Sequence, residues 1–139
     1  MFNKVILASK SRVRKKILEE NEIVCTVEPS NIDEDSVKKS LLIEKASPEI
    51  ISKNLAELKA NKISLKKKED LVLGADSVID LNGKIISKPT DREEALKILK
   101  DLNGQTHYLI SSVCISQNGS MIWNYTDKAS LTMKQMSEE

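Results

Sequence analysis

The sequence feature that most constrains this chain is a strongly apolar run that ends in a tight turn. Leu71-Val-Leu-Gly-Ala-Asp-Ser-Val-Ile79 is rich in apolar and β-branched residues, which predicts a buried strand. The following turn, Asp80-Leu-Asn-Gly83, contains an Asn-Gly pair, the strongest short-range signal of a hairpin, and the run 84–89 is then the second arm. This hairpin places the carboxylate of Asp76 inside a strand that otherwise belongs to the core.

A carboxylate in a core strand needs a compensating cation or metal ion, because burying an unpaired charge costs several kcal/mol. The first candidate partner for Asp76 is Lys88, at the far end of the same hairpin. One acid and one lysine do not define a site, so other elements must supply the rest of it.

Composition and charge restrict the class of protein. The 139 residues, 40% of them hydrophobic, suffice for one compact domain, which we expect to span residues 1–139. Lysine and arginine number 22 against 21 aspartates and glutamates, and this balance argues against general nucleic-acid binding. The sequence has no apolar run of about 18 residues that would span a membrane, and its start lacks a signal-peptide pattern. The expectation is a cytoplasmic protein that binds neither nucleic acid nor membrane.

The N-terminal segment predicts a strand, a hydroxyl-rich turn and a helix. The apolar run 4–8 stops at Ser9-Lys-Ser11, and the apolar residues within 13–18 then fall at helical spacing, with Ser11 as the N-cap. The first N–H groups of a helix have no intrahelical partner, so such a turn can bind an anion, and Arg14 can fold back over the same place. The alternative is an ordinary capped helix with a solvated basic face.

Three consecutive acids, Asp33, Glu34 and Asp35, end the next loop. Acids before a helix start usually interact with the helix dipole, but their density also suits a divalent cation. We expect Asp35 or Ser36 to cap the helix that follows.

A longer helix is predicted to begin with Ser47 as its N-cap and Pro48 as its first residue. Lysines, among them Lys59, flank its apolar stripe, and lysines in that position are most often solvated. Another amphipathic helix is predicted over 91–102, with Thr90 as its cap and Leu96 and Leu99 among its inward-facing residues.

An Asn-Gly turn within 117–120 predicts a second hairpin after this last helix. His107, the only histidine, precedes that turn and is expected to be a strand residue bonded to a backbone carbonyl rather than a catalyst. Cys25 and Cys114 lie far apart in apolar runs, which predicts buried thiols rather than zinc ligands or a disulfide.

The order of these elements predicts the fold class. Strands and helices alternate in the first half and hairpins dominate the second, which indicates an α/β fold with a mixed, twisted β-sheet and helices packed around it. The alternative is an α+β fold with antiparallel hairpins. The chain has four glycines and no glycine-rich phosphate loop, so phosphate would be bound by side chains and helix N-termini.

Taken together, six segments resemble motifs of the Maf family of nucleoside triphosphate pyrophosphatases, in the family's order and near its spacing between residues 5 and 113. They are 7–14 (the LASxSxxR turn), 32–34 (the acidic loop), 55–60 (the LAxxKA helix), 73–77 (the GAD[TS] strand), 88–89 (the KP pair) and 102–107 (the LxGxxH segment). The resemblance implies an inosine-triphosphatase-like fold.

The resemblance also implies an activity. It is hydrolysis of the α–β anhydride of a modified or pyrimidine nucleoside triphosphate to monophosphate and pyrophosphate, with Mg²⁺ or Mn²⁺, in a house-cleaning role. The positions that match the motifs are Ser9, Ser11, Arg14, Lys59 and Lys88 for substrate, Asp76, Lys59 and Lys88 for catalysis, and Glu34 and Asp76 for the metal. The resemblance is compatible with a homodimer.

Some positions depart from the family pattern. Ser87 and Arg12 replace a common glycine and proline, and Ser77 stands where members that act on different bases carry threonine or glutamine, so the base stays open. Family members usually continue well past position 139, and we therefore expect a domain truncated at its C-terminus. A non-catalytic nucleotide-binding protein linked to cell division, or an inactive fragment of the enzyme, remains an alternative.

Overall fold

The computed structural model describes residues 5–9, 11–86 and 91–134. They form a sheet of six strands in the order β2-β1-β3-β5-β6, with β4 paired to β3 outside this path. The elements in chain order are β1 (Val5–Leu7), α1 (Arg12–Glu20), β2 (Cys25–Val27), α2 (Glu34–Ile43), α3 (Pro48–Lys66), β3 (Leu71–Leu81), β4 (Lys84–Ile86), α4 (Arg92–Leu102), β5 (Thr106–Gln117) and β6 (Ser120–Thr132).

The sheet is mixed, as predicted. β1 is parallel to β2 and β3, whereas the β3–β4, β3–β5 and β5–β6 pairs are antiparallel. Both predicted hairpins form, and their turn residues Asn82, Gly83, Asn118 and Gly119 all have positive φ angles, of 52°, 86°, 56° and 79°. Two successive positive φ angles match the right-handed twist of hairpin strands, which is why Asn-Gly is favoured there.

One edge of β3 is only partly paired, and this opens a gap in the sheet. β5 covers the opposite edge along nearly the whole strand. On the first edge β1 pairs with Leu71–Leu73 and β4 pairs with Ile79–Leu81. Within the described residues no strand pairs with the stretch 74–78 on that edge. The sheet therefore divides around Asp76 and leaves a gap between the end of β1 at Leu7 and the end of β4 at Ile86.

Helix α3 packs on one face of the sheet and forms most of the core. It begins as predicted, with the Ser47 side chain accepting from the N–H of Ile50 and Pro48 in the first turn. Its buried face packs in two clusters against β1, β3 and β5; the apolar residues of that face are Ile51, Leu55, Ala56, Ala60 and Ile63. A β-carbon at Gly74 would collide with the carbonyl oxygen of Ala56 and lie 2.8 Å from the amide nitrogen of Ala60, so only glycine permits this close approach.

Two predictions about buried residues were wrong. Leu96 and Leu99 of α4 are 49% and 54% exposed, because no described element covers that side of the helix. Apolar spacing indicates that a helix has an apolar stripe but does not supply the surface that covers it. Cys114 is buried as predicted, whereas Cys25 is only half-buried, and both are free thiols.

Two helix caps also differ from the predicted ones. Asp33, rather than Asp35 or Ser36, caps α2 and accepts from the N–H of Ser36 at 3.1 Å. Asp91, rather than Thr90, caps α4. In each of these turns, adjacent side chains can serve as the N-cap. The local sequence therefore predicts where the helix begins but not which residue caps it.

The α4 cap leads to a prediction about stability. Asp91 Oδ1 accepts from the N–H of Glu94 at 2.8 Å, so Asp91→Ala leaves a helical N–H without that partner. We expect urea denaturation to show a loss of about 1 kcal/mol in the free energy of unfolding. Asp101→Ala, an exposed change in the last turn of the same helix, is the control and should stay within about 0.5 kcal/mol of the wild type. Equal losses would refute the cap assignment.

Candidate active site

A cavity of about 950 Å³ opens at the fork of the sheet. Residues from all four helices line it, together with the end of β1 and parts of β3, β4 and β5. Among its lining residues are six that the sequence singled out: Ser9, Ser11, Arg14, Glu34, Lys59 and Asp76. Lys88 lies outside the described residues. The cavity thus brings together side chains that are up to 67 positions apart in the chain, and their roles remain predictions.

The buried centre of this cavity is the pair formed by Asp76 and Lys59. The Nζ atom of Lys59 donates to Asp76 Oδ1 at 3.2 Å and to the carbonyl oxygen of Ala75 at 3.3 Å, and it lies 2.6 Å from Glu34 Oε1. The side chains of Lys59 and Asp76 are only 11% and 8% exposed. Lys59 is therefore the partner of the buried acid within the described residues, and it is not the solvated lysine that its helix pattern predicted.

Only one of the two carboxylate oxygens of Asp76 is hydrogen-bonded to a described residue. Burial raises the pKa of Asp76, and the charge and hydrogen bond of Lys59 act against that rise. Its Oδ2 atom is buried and has no hydrogen-bond partner in the described part of the chain. Because leaving a buried polar atom unpaired costs about 1–3 kcal/mol, such an atom marks a place where a ligand, a water molecule or a cation belongs.

The start of α1 forms a hydroxyl-rich turn that lines the same cavity. Ser11 caps the helix and accepts from the N–H of Arg14 at 3.2 Å. The buried Ser9 Oγ accepts from the N–H of Ser11 at 3.1 Å and from Arg14 Nη1 at 3.0 Å, so Arg14 folds back over the turn as predicted. No described carboxylate pairs with this guanidinium. The positive helix end and the guanidinium can therefore bind an anion together.

The opposite wall of the cavity is apolar. Ile79, Ile86, Ile98 and Leu109 line it. Because side chains alternate along a strand, Ile79 lies on the face of β3 opposite to Asp76. This wall suits a flat, weakly polar group. No sequence pattern predicts it, because each of its residues is by itself typical of a core.

The charges around the cavity do not favour a polyanion by themselves. Among the described lining residues three cations, Arg14, Lys38 and Lys59, face four carboxylates, Glu34, Asp35, Asp76 and Glu94. Across the residues that the structure describes, no group of three or more histidine, cysteine, aspartate or glutamate side chains is arranged to hold a metal ion alone. A cation bound here would need further ligands, such as water molecules or the oxygens of a bound anion.

His107 is a strand residue, as predicted, and it is not among the described residues that line the cavity. It is buried in β5, and its Nδ1 atom has no hydrogen-bond partner among the described residues, so the predicted bond to a carbonyl is not made by that atom. In the described ranges 5–9, 11–86 and 91–134, no helix has the length and apolar character of a membrane span.

Comparison with known proteins identifies the family. A family model described as Maf-like protein matches residues 4–139. The chain belongs to the Maf-like family. This Maf-like protein is 77% identical over 137 residues to a protein of Pelagibacter ubique named nucleoside triphosphate pyrophosphatase, with 99% of this chain and 70% of the relative covered. A Ruegeria pomeroyi protein of the same name is 42% identical, with 96% of this chain and 67% of the relative covered.

Two solved structures share the fold of this Maf-like protein. A HAM1 protein from Coxiella burnetii has a TM-score of 0.52 at 16% identity and covers 94% of this chain and 71% of its own. The Staphylococcus aureus Ham1 protein has a TM-score of 0.50 at 14% identity, with 93% of this chain and 70% of that chain covered. At such identities the likeness concerns the fold alone, and it confirms the α/β architecture with a mixed sheet.

Proposed function

We propose that this Maf-like protein hydrolyses the α–β anhydride of a nucleoside triphosphate and releases the monophosphate and pyrophosphate. The observation that carries the proposal is one cavity in which an anion-binding helix start, a buried acid–lysine pair and an apolar wall meet. These three parts match the phosphates, the reacting anhydride and the base of a nucleotide. The names of the relatives from P. ubique and R. pomeroyi support the same activity.

The side chains that line the cavity have separate roles in the proposed reaction. The first N–H groups of α1 and the guanidinium of Arg14 would donate to phosphate oxygens, with Ser9 and Ser11 holding the turn in shape. Asp76 Oδ2, which has no partner in the described part, would orient the attacking water and accept its proton. Lys59, fixed by Glu34 and Asp76, would offset the charge that develops on the phosphate. Lys88 is proposed for the same task on the family resemblance alone.

A divalent cation, Mg²⁺ or Mn²⁺, fits this donor set. Glu34 and Asp76 contact the same ammonium group, and Asp76 Oδ2 is unpaired among the described residues. Mg²⁺ typically takes one or two protein carboxylates together with substrate phosphates, and the described lining has more carboxylates than cations. We propose that Glu34 and Asp76 hold the ion. When bound, it neutralises charge on the phosphate oxygens.

We propose that the apolar wall of the cavity binds the base of the nucleotide. On the resemblance, the substrates are modified or pyrimidine nucleotides and the role is removal of unwanted nucleotides from cytoplasmic pools. The near-neutral charge of the sequence supports a free nucleotide rather than a nucleic acid as partner. A homodimer is proposed on the same resemblance and can be tested by light scattering.

A panel of nucleoside triphosphates incubated with Mg²⁺ tests the activity directly. We expect pyrophosphate and monophosphate in equal amounts and no orthophosphate, because the α–β bond is the one cleaved. Orthophosphate would show that a different bond breaks. Binding by calorimetry without any product would support the non-catalytic alternative instead.

Removing the divalent cation is a separate prediction. EDTA should reduce pyrophosphate release to background, and added Mg²⁺ or Mn²⁺ should restore it, because the described lining alone does not offset the charge of a triphosphate. Calcium-saturated EDTA is the control for direct effects of the chelator. Full turnover in EDTA would rule out the proposed metal.

A further inference from the structure

We propose that Lys38 is a substrate-binding residue that contacts the pyrophosphate part of the nucleotide. The inference rests on the proposed function and adds to it a residue that lies outside all six motifs. Lys38 is half-buried on α2 and lines the cavity, whereas its neighbour Lys39 is exposed and does not.

Lys38 differs from the other cavity cations in its bonding. Lys59 is shared between two carboxylates and a carbonyl oxygen, and Arg14 donates to Ser9. Lys38 has neither a hydrogen bond nor an ion pair with any described residue, although its side chain lines the cavity. A lysine that lines a cavity and has no acceptor among the described residues can donate to a bound anion.

The fork of the sheet determines which phosphates Lys38 can reach. Asp76 lies on the α3 side of β3, where Lys59 contacts it and where Glu34 of α2 reaches the same lysine. Lys38 follows Glu34 by four positions and so lies on the same side of α2, one helical turn further along. The apolar wall that would seat the base is on the opposite side of β3.

The three phosphates of a nucleoside triphosphate form a linear chain. For the proposed reaction, the bond between the α- and β-phosphates must lie next to Asp76 and Lys59. With the base on the apolar wall, the two outer phosphates then extend past the pair towards α2 and Lys38.

Lys38→Met tests the assignment, with Lys39→Met as the matched control on the same helix. Lys38→Met should raise KM for the triphosphate and the inhibition constant of pyrophosphate, each about tenfold, the loss expected for one charge-assisted hydrogen bond. Inhibition by the monophosphate should not change, and Lys38→Arg should recover most of the loss. Lys39→Met should match the wild type in every assay, and melting curves should show both methionine variants folded.

Either of two results would overturn the proposal. One is a Lys38→Met enzyme whose kinetics match those of Lys39→Met. The other is monophosphate inhibition that weakens as much as pyrophosphate inhibition, because Lys38 would then contact the α-phosphate. If the wild type cleaves no nucleotide, the proposed function fails separately. Calorimetry with magnesium pyrophosphate then still tests Lys38, and equal affinities of wild type and Lys38→Met would refute its role.

Discussion

Asp76→Asn is expected to lower the rate of pyrophosphate release by at least about 100-fold, because the amide cannot accept a proton from the attacking water. The loss should appear in kcat, since the substitution leaves Arg14 and the start of α1, the proposed phosphate-binding groups, unchanged. Asp127→Asn, an equivalent change at an exposed position of β6, is the control and should leave the rate unchanged. Turnover of Asp76→Asn close to that of the wild type would remove Asp76 from the mechanism.

The same variant should be more stable than the wild type in metal-free buffer. Burial raises the pKa of Asp76 in the folded state, so the unfolded chain ionises first, near the ordinary carboxyl pKa of about 3.9. As the pH rises from there through the raised folded pKa, the wild type loses stability that the neutral asparagine retains. The difference in Tm between Asp76→Asn and wild type, measured with EDTA, should therefore be positive at about pH 8 and smaller at about pH 5. A Tm for Asp76→Asn below that of the wild type at pH 8 would contradict this.

Gly74→Ala is expected to have the largest effect on stability. The added β-carbon meets the backbone of α3 at Ala56 and Ala60, and a helix backbone cannot move aside as a flexible side chain can. Displacing α3 would also pull Lys59 away from Asp76. We expect a loss of about 3 kcal/mol or more in the free energy of unfolding, or a protein that does not accumulate in folded form.

Gly83→Ala is the matched control for that change. A β-carbon at Gly83 would have no atom within 4 Å, but the φ angle of this residue is +86°. The substitution therefore lowers stability through backbone strain alone. We expect about 1 kcal/mol by urea denaturation. Losses of similar size at the two glycines would show that the contact between α3 and β3 is looser than the structure indicates.

The sequence by itself determined much of the local structure and the set of candidate site residues. Asn-Gly pairs require two positive φ angles, so both hairpins could be located from the sequence, and the hydroxyl of Ser11 marked the start of α1. The motifs that resemble the Maf family identified six described residues, and all six line one cavity.

Only the tertiary structure determined which of these residues contact one another. Among the described residues Lys59 is the partner of Asp76, because Gly74 lets α3 approach β3 and brings together residues 17 positions apart. The gap in the edge of β3, the apolar wall and the position of Lys38 likewise depend on strand register and helix packing. The acid that made the central strand unusual is tolerated there because packing of distant segments supplies its lysine, and no pattern of neighbouring residues encodes that contact.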